Sequence, residues 1–191
     1  MTSIDASEIL GPMYSVITHD GTLALNELNL TPGAAVLDVG TGAGKSAIFL
    51  AGKGFDVTTG EPETDTTHYA NLDWAGNAEK MGVRERISFQ PFDASQMPFD
   101  AANFDAVFFF GVLHHINEEL RSAVLAESLR VVKKGGGAVV LFEPRQETLT
   151  KVWKNDPGHP LAANPADYLT EPKNPLHHIE GKMMDIFIIR K

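Results

Sequence analysis

Apolar residues recur along this chain in two alternating periods. Val16, Ile17, Leu23, Leu25 and Leu28 return on a roughly helical repeat until Thr31, Pro32 and Gly33 interrupt it, which predicts a leading helix and a turn. Ala34 to Val39 is then a short apolar run that stops at Gly40, and Ser46 to Ala51 resumes at helical density before Gly52 and Gly54. The order is strand, glycine loop, helix. Phe55 to Thr59 predicts a second strand, Asp65 to Met81 a helix, and Arg86 to Gln90 a third strand with alternating character. Ala106 to Phe110 is apolar at every position, as befits a parallel strand covered by helices on both faces, so it is expected at the centre of a sheet. Asn117 is a good N-cap for a helix through Leu120, Val124, Leu125 and Leu129, and Gly135 to Gly137 close it before a strand over Ala138 to Phe142.

Beyond Glu143 the pattern changes, because Pro157, Pro160, Pro165, Pro172 and Pro175 punctuate a polar stretch that has no room for a long helix or a central strand. Met183 to Arg190 returns to a strand pattern and is expected to pair with Leu176 to Ile179 across Gly181. Strands alternating with helices specify an α/β fold, here a doubly wound, Rossmann-like, mostly parallel sheet with helices on both faces and an antiparallel C-terminal strand. The expected organisation is a single domain over 1–191, with a leading helical cap segment over 1–33 and a variable surface segment over 144–182. Such sheets bind ligands beyond the carboxyl ends of their strands, so the residues that matter are those at strand ends.

Composition narrows the chemistry. With 191 residues and 43% hydrophobic content the chain suffices for one substantial core, and its formal net charge of -9 provides no basic surface for nucleic acid or anionic lipid. A small-molecule partner is expected instead. The absence of cysteine removes disulfides, thiolate nucleophiles and cysteine-bound metals. Met1 to Pro12 lacks a basic stretch followed by an apolar core, and the run Ala106 to Leu113 is too short to span a bilayer, so a cytoplasmic protein is expected.

The segment Asp38-Val39-Gly40-Thr41-Gly42-Ala43-Gly44 between the first strand and its helix lets a ligand lie against bare backbone. A phosphate-binding P-loop ending in Gly44, Lys45 and Ser46 would need glycine where Val39 stands. A dinucleotide fingerprint would need a third glycine where Lys45 stands. Asp-x-Gly-x-Gly-x-Gly is satisfied at every position. On this loop the chain resembles the class I S-adenosylmethionine-dependent methyltransferases. The resemblance continues in order: Glu61 after the second strand, Asp93-Ala94 after the third, Phe104-Asp105 opening the fourth, Leu113-His114-His115 closing it, and Val132-Lys133-Lys134-Gly135-Gly136 before the fifth. It covers roughly Ala34 to Glu143.

The resemblance implies S-adenosylmethionine as cofactor and a small-molecule methyl acceptor. It implies that Gly40, Thr41, Gly42 and Gly44 cradle the cofactor, that Asp38 orients the loop and the ammonium group, and that Glu61, beside Pro62, accepts both ribose hydroxyls. Asp93 would accept from the adenine amine, Ala94 would offer backbone to the ring, and Phe109, Phe110 and Gly111 would run beside the methionine part. Tyr14 and His19 lie in the leading segment, which folds over the cofactor in similar enzymes, although ordinary helix packing is the better account of them. His114 and His115 fall near the expected methyl position, and imidazole titrates in a useful range. Adjacent residues of an extended chain point to opposite sides, so at most one of them should face the pocket as a catalytic base. His159 and His177-His178 have no ligand spacing to other donors, so no metal is expected. Two alternatives stay open: a protein that binds the cofactor without transferring a methyl group, and a nicotinamide-dependent dehydrogenase, which Lys45 disfavours.

Overall fold

The computed structural model describes residues 6–170 and 175–191. Pro172 lies outside them. Among the described residues, seven strands form one sheet in the order β3-β2-β1-β4-β5-β7-β6, with β1 at Ala35–Val39, β2 at Asp56–Gly60, β3 at Ile87–Phe89, β4 at Ala106–Phe110, β5 at Ala138–Pro144, β6 at Leu176–Glu180 and β7 at Met184–Arg190. Strands β1 to β5 are parallel to one another, whereas β7 runs antiparallel to both β5 and β6. The chain therefore pairs its last two strands through a tight turn at Gly181 and joins them to the open side of β5. This is the expected C-terminal antiparallel addition, and it draws the end of the 144–182 segment into the sheet.

Alternation along the strands sorts the core into two layers. Val36, Phe108, Val140, Ile186 and Ile188 point to one face, where they meet Val16, Ile17 and Ala24 of α2 (Met13–Asn26) and Ala47, Ile48 and Leu50 of α3 (Lys45–Gly52). Leu37, Val107, Phe109, Val139 and Leu141 point to the other, where Val124, Leu125 and Val131 of α5 (Glu118–Val131) cover them. Both faces of β4 are thus dry, which is why its sequence has no polar position. The order of strands reverses between β1 and β4, and the carboxyl ends of these two strands open the crevice that a doubly wound sheet offers to ligands.

Three expectations are corrected locally. The helix expected over Asp65–Met81 is reduced to α4 at Trp74–Lys80, and residues 61–73 form turns. Short polar side chains compete with helical hydrogen bonding there: Asp65 Oδ1 accepts from the Thr67 N–H (2.8 Å), Asn71 Nδ2 donates to the Asp65 carbonyl (3.1 Å), and Asn71 itself has φ 57. Asp73 starts the shortened helix by accepting from the Gly76 N–H at 2.9 Å. The third strand loses Arg86 to a 3-10 turn over Arg84–Arg86, because Arg86 reaches across to the Gly54 carbonyl and Asp56. Asn117 occupies the N-cap of α5 without a capping bond, and Glu118 and Glu119 complement the helix dipole instead. The leading region also holds an additional helix, α1 at Ala6–Leu10, and the first prolines leave room for α6 at Gln146–Val152. Among the described residues no helix is long and apolar enough to cross a membrane.

Phe109 has no solvent exposure and packs wholly within the α5-side layer. Phe109→Ala is expected to lower unfolding free energy by about 3 to 5 kcal/mol, and Phe109→Leu by clearly less. Urea denaturation of the cofactor-free protein reads both; equal, small losses would place this ring outside the core.

Candidate active site

The crevice is built first by backbone. Gly40 continues from β1 with φ +87 and donates its N–H to the Gly60 carbonyl at 2.9 Å, and a Cβ at Gly40 would lie 2.7 Å from Val112 Cγ2, beyond the end of β4. Gly44, at φ +77, leaves the loop in a left-handed turn that starts α3, with Trp74 packed so closely that a Cβ would sit 3.0 Å from that of the tryptophan. Gly42 lies under the carbonyl of Tyr69. Left-handed backbone favours glycine at all three positions, and close approach adds to this at Gly40 and Gly44.

Polar groups are then fastened around the loop. The Thr59 hydroxyl donates to Asp38 Oδ2 at 2.8 Å, so the hydroxyl of Thr41, 3.0 Å away, must be the donor to Thr59. Asp38 is 1% exposed, and its Oδ1 has no hydrogen-bond partner. Burial pushes its carboxyl up to about 6, against the pull of the bonded Thr59 hydroxyl and of the Ser46 hydroxyl, which is near without making a hydrogen bond of good geometry, and the charge of Glu61 adds to the rise. Thr59 was not among the expected site residues; the signal for it was a pair of polar residues, Thr58-Thr59, ending a strand in the interior. Glu61 accepts from the Gly42 N–H at 2.9 Å through Oε2 and from the Asn71 N–H at 2.8 Å through Oε1. It holds the glycine loop to the 61–73 segment, and each oxygen retains a further lone pair.

Asp93 is brought beside Glu61 by the Phe92 N–H, which donates to the Glu61 carbonyl at 3.3 Å. Its Oδ1 accepts from the N–H and the hydroxyl of Ser95, both at 2.7 Å, while Ala94 is buried against Phe92 and Met97. Pro62 is exposed at the entrance. Phe110 stacks on Phe142 with centroids 4.4 Å apart, and Gly111 turns the chain out of the sheet at φ +69. Phe109 points away into the core, so only its backbone borders the crevice. In the leading segment, His19 pairs with Asp20 at 2.7 Å, and Tyr14 packs against the α2-side core.

His114 and His115 do not alternate as extended chain would, because Leu113–His115 is a 3-10 turn, and their rings lie 4.2 Å apart. His114 is buried, with Nδ1 2.9 Å from Glu143 Oε2, and His115 is half-buried against Tyr69 at 5.3 Å. Burial, reinforced by His114 and His159, holds the His115 imidazole down to about 4 despite the opposing Asp156 and Asp65. His159 completes the group, its ring 5.2 Å from that of His114 and 4.9 Å from that of His115. Neither Glu143 nor His159 was legible as a site residue, since 29 residues separate the first from its histidine partner and His159 comes in by a loop.

A family profile described as a methyltransferase domain matches residues 36–136. The chain belongs to this methyltransferase domain family. The match takes in the glycine loop, Glu61, Asp93 and His114-His115, and ends before Glu143 and His159. The demethylmenaquinone methyltransferase of Renibacterium salmoninarum is 37% identical over 120 residues, which is 62% of this chain and 45% of that protein. The chain thus spans less than half the length of that curated relative. Among solved structures, a Methanococcus maripaludis protein provisionally assigned as an S-adenosyl-L-methionine-dependent methyltransferase superposes with a TM-score of 0.71 at 18% identity, covering 97% of this chain and 88% of the other. The [4+2]-cyclase SpnF superposes with a TM-score of 0.53 at 26% identity, over 63% of this chain and 42% of its own.

The buried carboxyl of this methyltransferase domain generates a pH test. A folded-state value near 6, above the ordinary 3.8, means that the folded chain retains a proton which the unfolded chain releases between about pH 4 and pH 6. Asp38 therefore lowers stability as pH rises through that window, by at most on the order of 3 kcal/mol. Asp38→Asn should remove this component. Denaturation of both proteins without cofactor should show the wild type losing ground to the variant from pH 4 to pH 7, and a difference constant over that range would refute the assignment.

Proposed function

We propose that this chain is an S-adenosylmethionine-dependent methyltransferase acting on a small-molecule acceptor. The observation that carries the reading is Asp38 Oδ1, a fully buried carboxylate oxygen without a partner beside a glycine loop. A lone buried acceptor of this kind is costly unless a ligand satisfies it, and the ammonium end of the cofactor is a fitting donor. The remaining donors fit as well: Glu61 has lone pairs for the ribose hydroxyls, and Asp93 has Oδ2 for the adenine amine, its Oδ1 being engaged by Ser95. Lys45, where a dinucleotide site would have glycine, argues against a nicotinamide cofactor.

When bound, S-adenosylmethionine supplies an activated methyl group on a sulfonium, ready for in-line displacement. The chain's contribution is alignment and exclusion of water, which lowers barriers by on the order of 7 kcal/mol in well-oriented systems. The 61–73 segment closes the crevice from one side through Glu61. Where the acceptor must lose a proton, at most one of His114 and His115, past the end of β4, would receive it, and only with its ring nitrogen free of a metal ion. A second reading, cofactor binding without methyl transfer, draws support from the likeness to a cyclase, and turnover with a panel of phenolic, quinol and amine acceptors separates the two.

S-adenosylhomocysteine is expected to bind with one-to-one stoichiometry in calorimetry. Glu61→Ala should weaken it at least tenfold, since hydrogen bonds to a charged acceptor contribute roughly 1.5 to 3 kcal/mol each. The alanine variant also frees the Gly42 and Asn71 N–H groups, so the loss alone does not identify the ribose contact. A 2′-deoxyribose analogue should lose affinity for the wild type and much less for the variant, the non-additivity expected of a shared contact. Additive losses would reduce Glu61 to a fastener of loops.

A further inference from the structure

We propose that His114, His115 and His159 form a binding site for a divalent transition metal ion, zinc foremost, beside the proposed methyl-transfer crevice. One ring nitrogen from each histidine lies within 4.8 Å of the other two. A tetrahedral zinc ion with bonds of about 2.0 to 2.1 Å needs its ligand nitrogens roughly 3.4 Å apart, so each ring has less than about 1 Å to move. Imidazole donors without carboxylate or water select zinc, copper, nickel or iron over magnesium and calcium. Three protein ligands leave a coordination position open, the arrangement of catalytic rather than structural zinc.

The supports of the cluster point the same way. Glu143, 1% exposed, accepts from His114 Nδ1 at 2.9 Å, which leaves Nε2 as the nitrogen with a free lone pair. A carboxylate behind a histidine in this way orients metal-binding imidazoles and raises their basicity. The same Oε2 accepts from the Ala163 N–H at 2.9 Å, so one carboxylate fixes both His114 and the segment that delivers His159. That segment is also held by Trp153, whose indole donates to the His159 carbonyl at 2.8 Å. His159 Nδ1 and Glu143 Oε1 are themselves buried without hydrogen-bond partners, and the Asp156 carboxylate stands 3.4 Å from that Nδ1. Two buried polar atoms without hydrogen bonds beside three clustered imidazoles are the surroundings that a bound metal ion would complete.

The open position would take water or an oxygen of the acceptor, whose pKa the ion would lower, giving the site a preference for hydroxyl-bearing substrates. That last role rests on the methyltransferase reading; the metal site does not. The test uses the whole chain, stripped with a chelator and titrated with Zn²⁺ in competition with a chromophoric chelator, and separately with Co²⁺ followed by visible absorption. One equivalent of Zn²⁺ should bind with a micromolar or tighter Kd, and Co²⁺ should give the intense bands of four-coordinate ion. H159Q and H115Q should each weaken binding at least a hundredfold, while E143Q, which changes a positioning residue, should weaken it ten- to a hundredfold. A double H177Q/H178Q variant on the sheet edge should bind as the wild type does. H159Q, whose side chain lies outside both core layers, decides the matter should H115Q fail to fold. Calorimetry with S-adenosylhomocysteine on H159Q should be unchanged, which separates failure of the metal site from failure of the cofactor assignment. Zn²⁺ binding no tighter than millimolar, or binding that survives H159Q, would overturn the proposal.

Discussion

Burial of β4 on both faces is the constraint that organises the molecule. Its five residues are apolar because two helical layers close over it, and β1 and β5 flank it in register, Asp38 opposite Phe108 and Phe110 opposite Phe142. The chain then leaves the sheet at Gly40 on one side and Gly111 on the other, both in left-handed conformations. Because connections from β1 and β4 diverge in opposite directions, the space between them is left to loops, and the polar groups of the candidate site stand at the carboxyl ends of the strands or on the segments beyond them.

Three buried carboxylates show how differently one chemical group can be used within a single domain. Asp20, on α2, accepts from the N–H groups of Lys182, Met183 and Met184 and pairs with His19, so it stitches the leading helix to the turn between β6 and β7. Its hydrogen bonding is complete, and its role is structural. Glu143 and Asp38 are each half satisfied, with one oxygen engaged and the other without a partner. Incomplete satisfaction in the interior is costly, and both instances lie at the carboxyl edge of the sheet, where a ligand would complete them.

Two acids also act as clasps for two loops. Glu61 ties residues 61–73 to the glycine loop, and Glu143 ties the 153–163 segment to His114. The loops meet through ring contacts of His115, tilted against Tyr69 and edge-on to His159. The crevice is thereby walled from both sides by segments with little regular structure, whose positions depend on charge-assisted hydrogen bonds rather than on packing. Loss of either carboxylate would loosen a wall as well as remove a ligand contact.

The sequence by itself determined the sheet and its glycine loop. Ala106–Phe110 had to be central because it has no wet face, and Asp38-x-Gly-x-Gly-x-Gly followed the first strand with a spacing that fails the phosphate loop and, through Lys45, disfavours the dinucleotide fingerprint. Both signals are local, since a strand's burial is written in its own residues and a loop's conformation in its glycines. The helix over Asp65–Met81 was misjudged because Asp65, Asn71 and Asp73 bond to nearby backbone, and periodicity does not weigh that competition. Tertiary structure alone decided which groups meet. Thr59 reaches Asp38 across paired strands, Glu143 comes to His114 from the end of β5, and His159 arrives from a loop beyond the family match. Ligand clusters assembled from distant segments leave no spacing to read, because their geometry is set by where strands end in space rather than by separation along the chain.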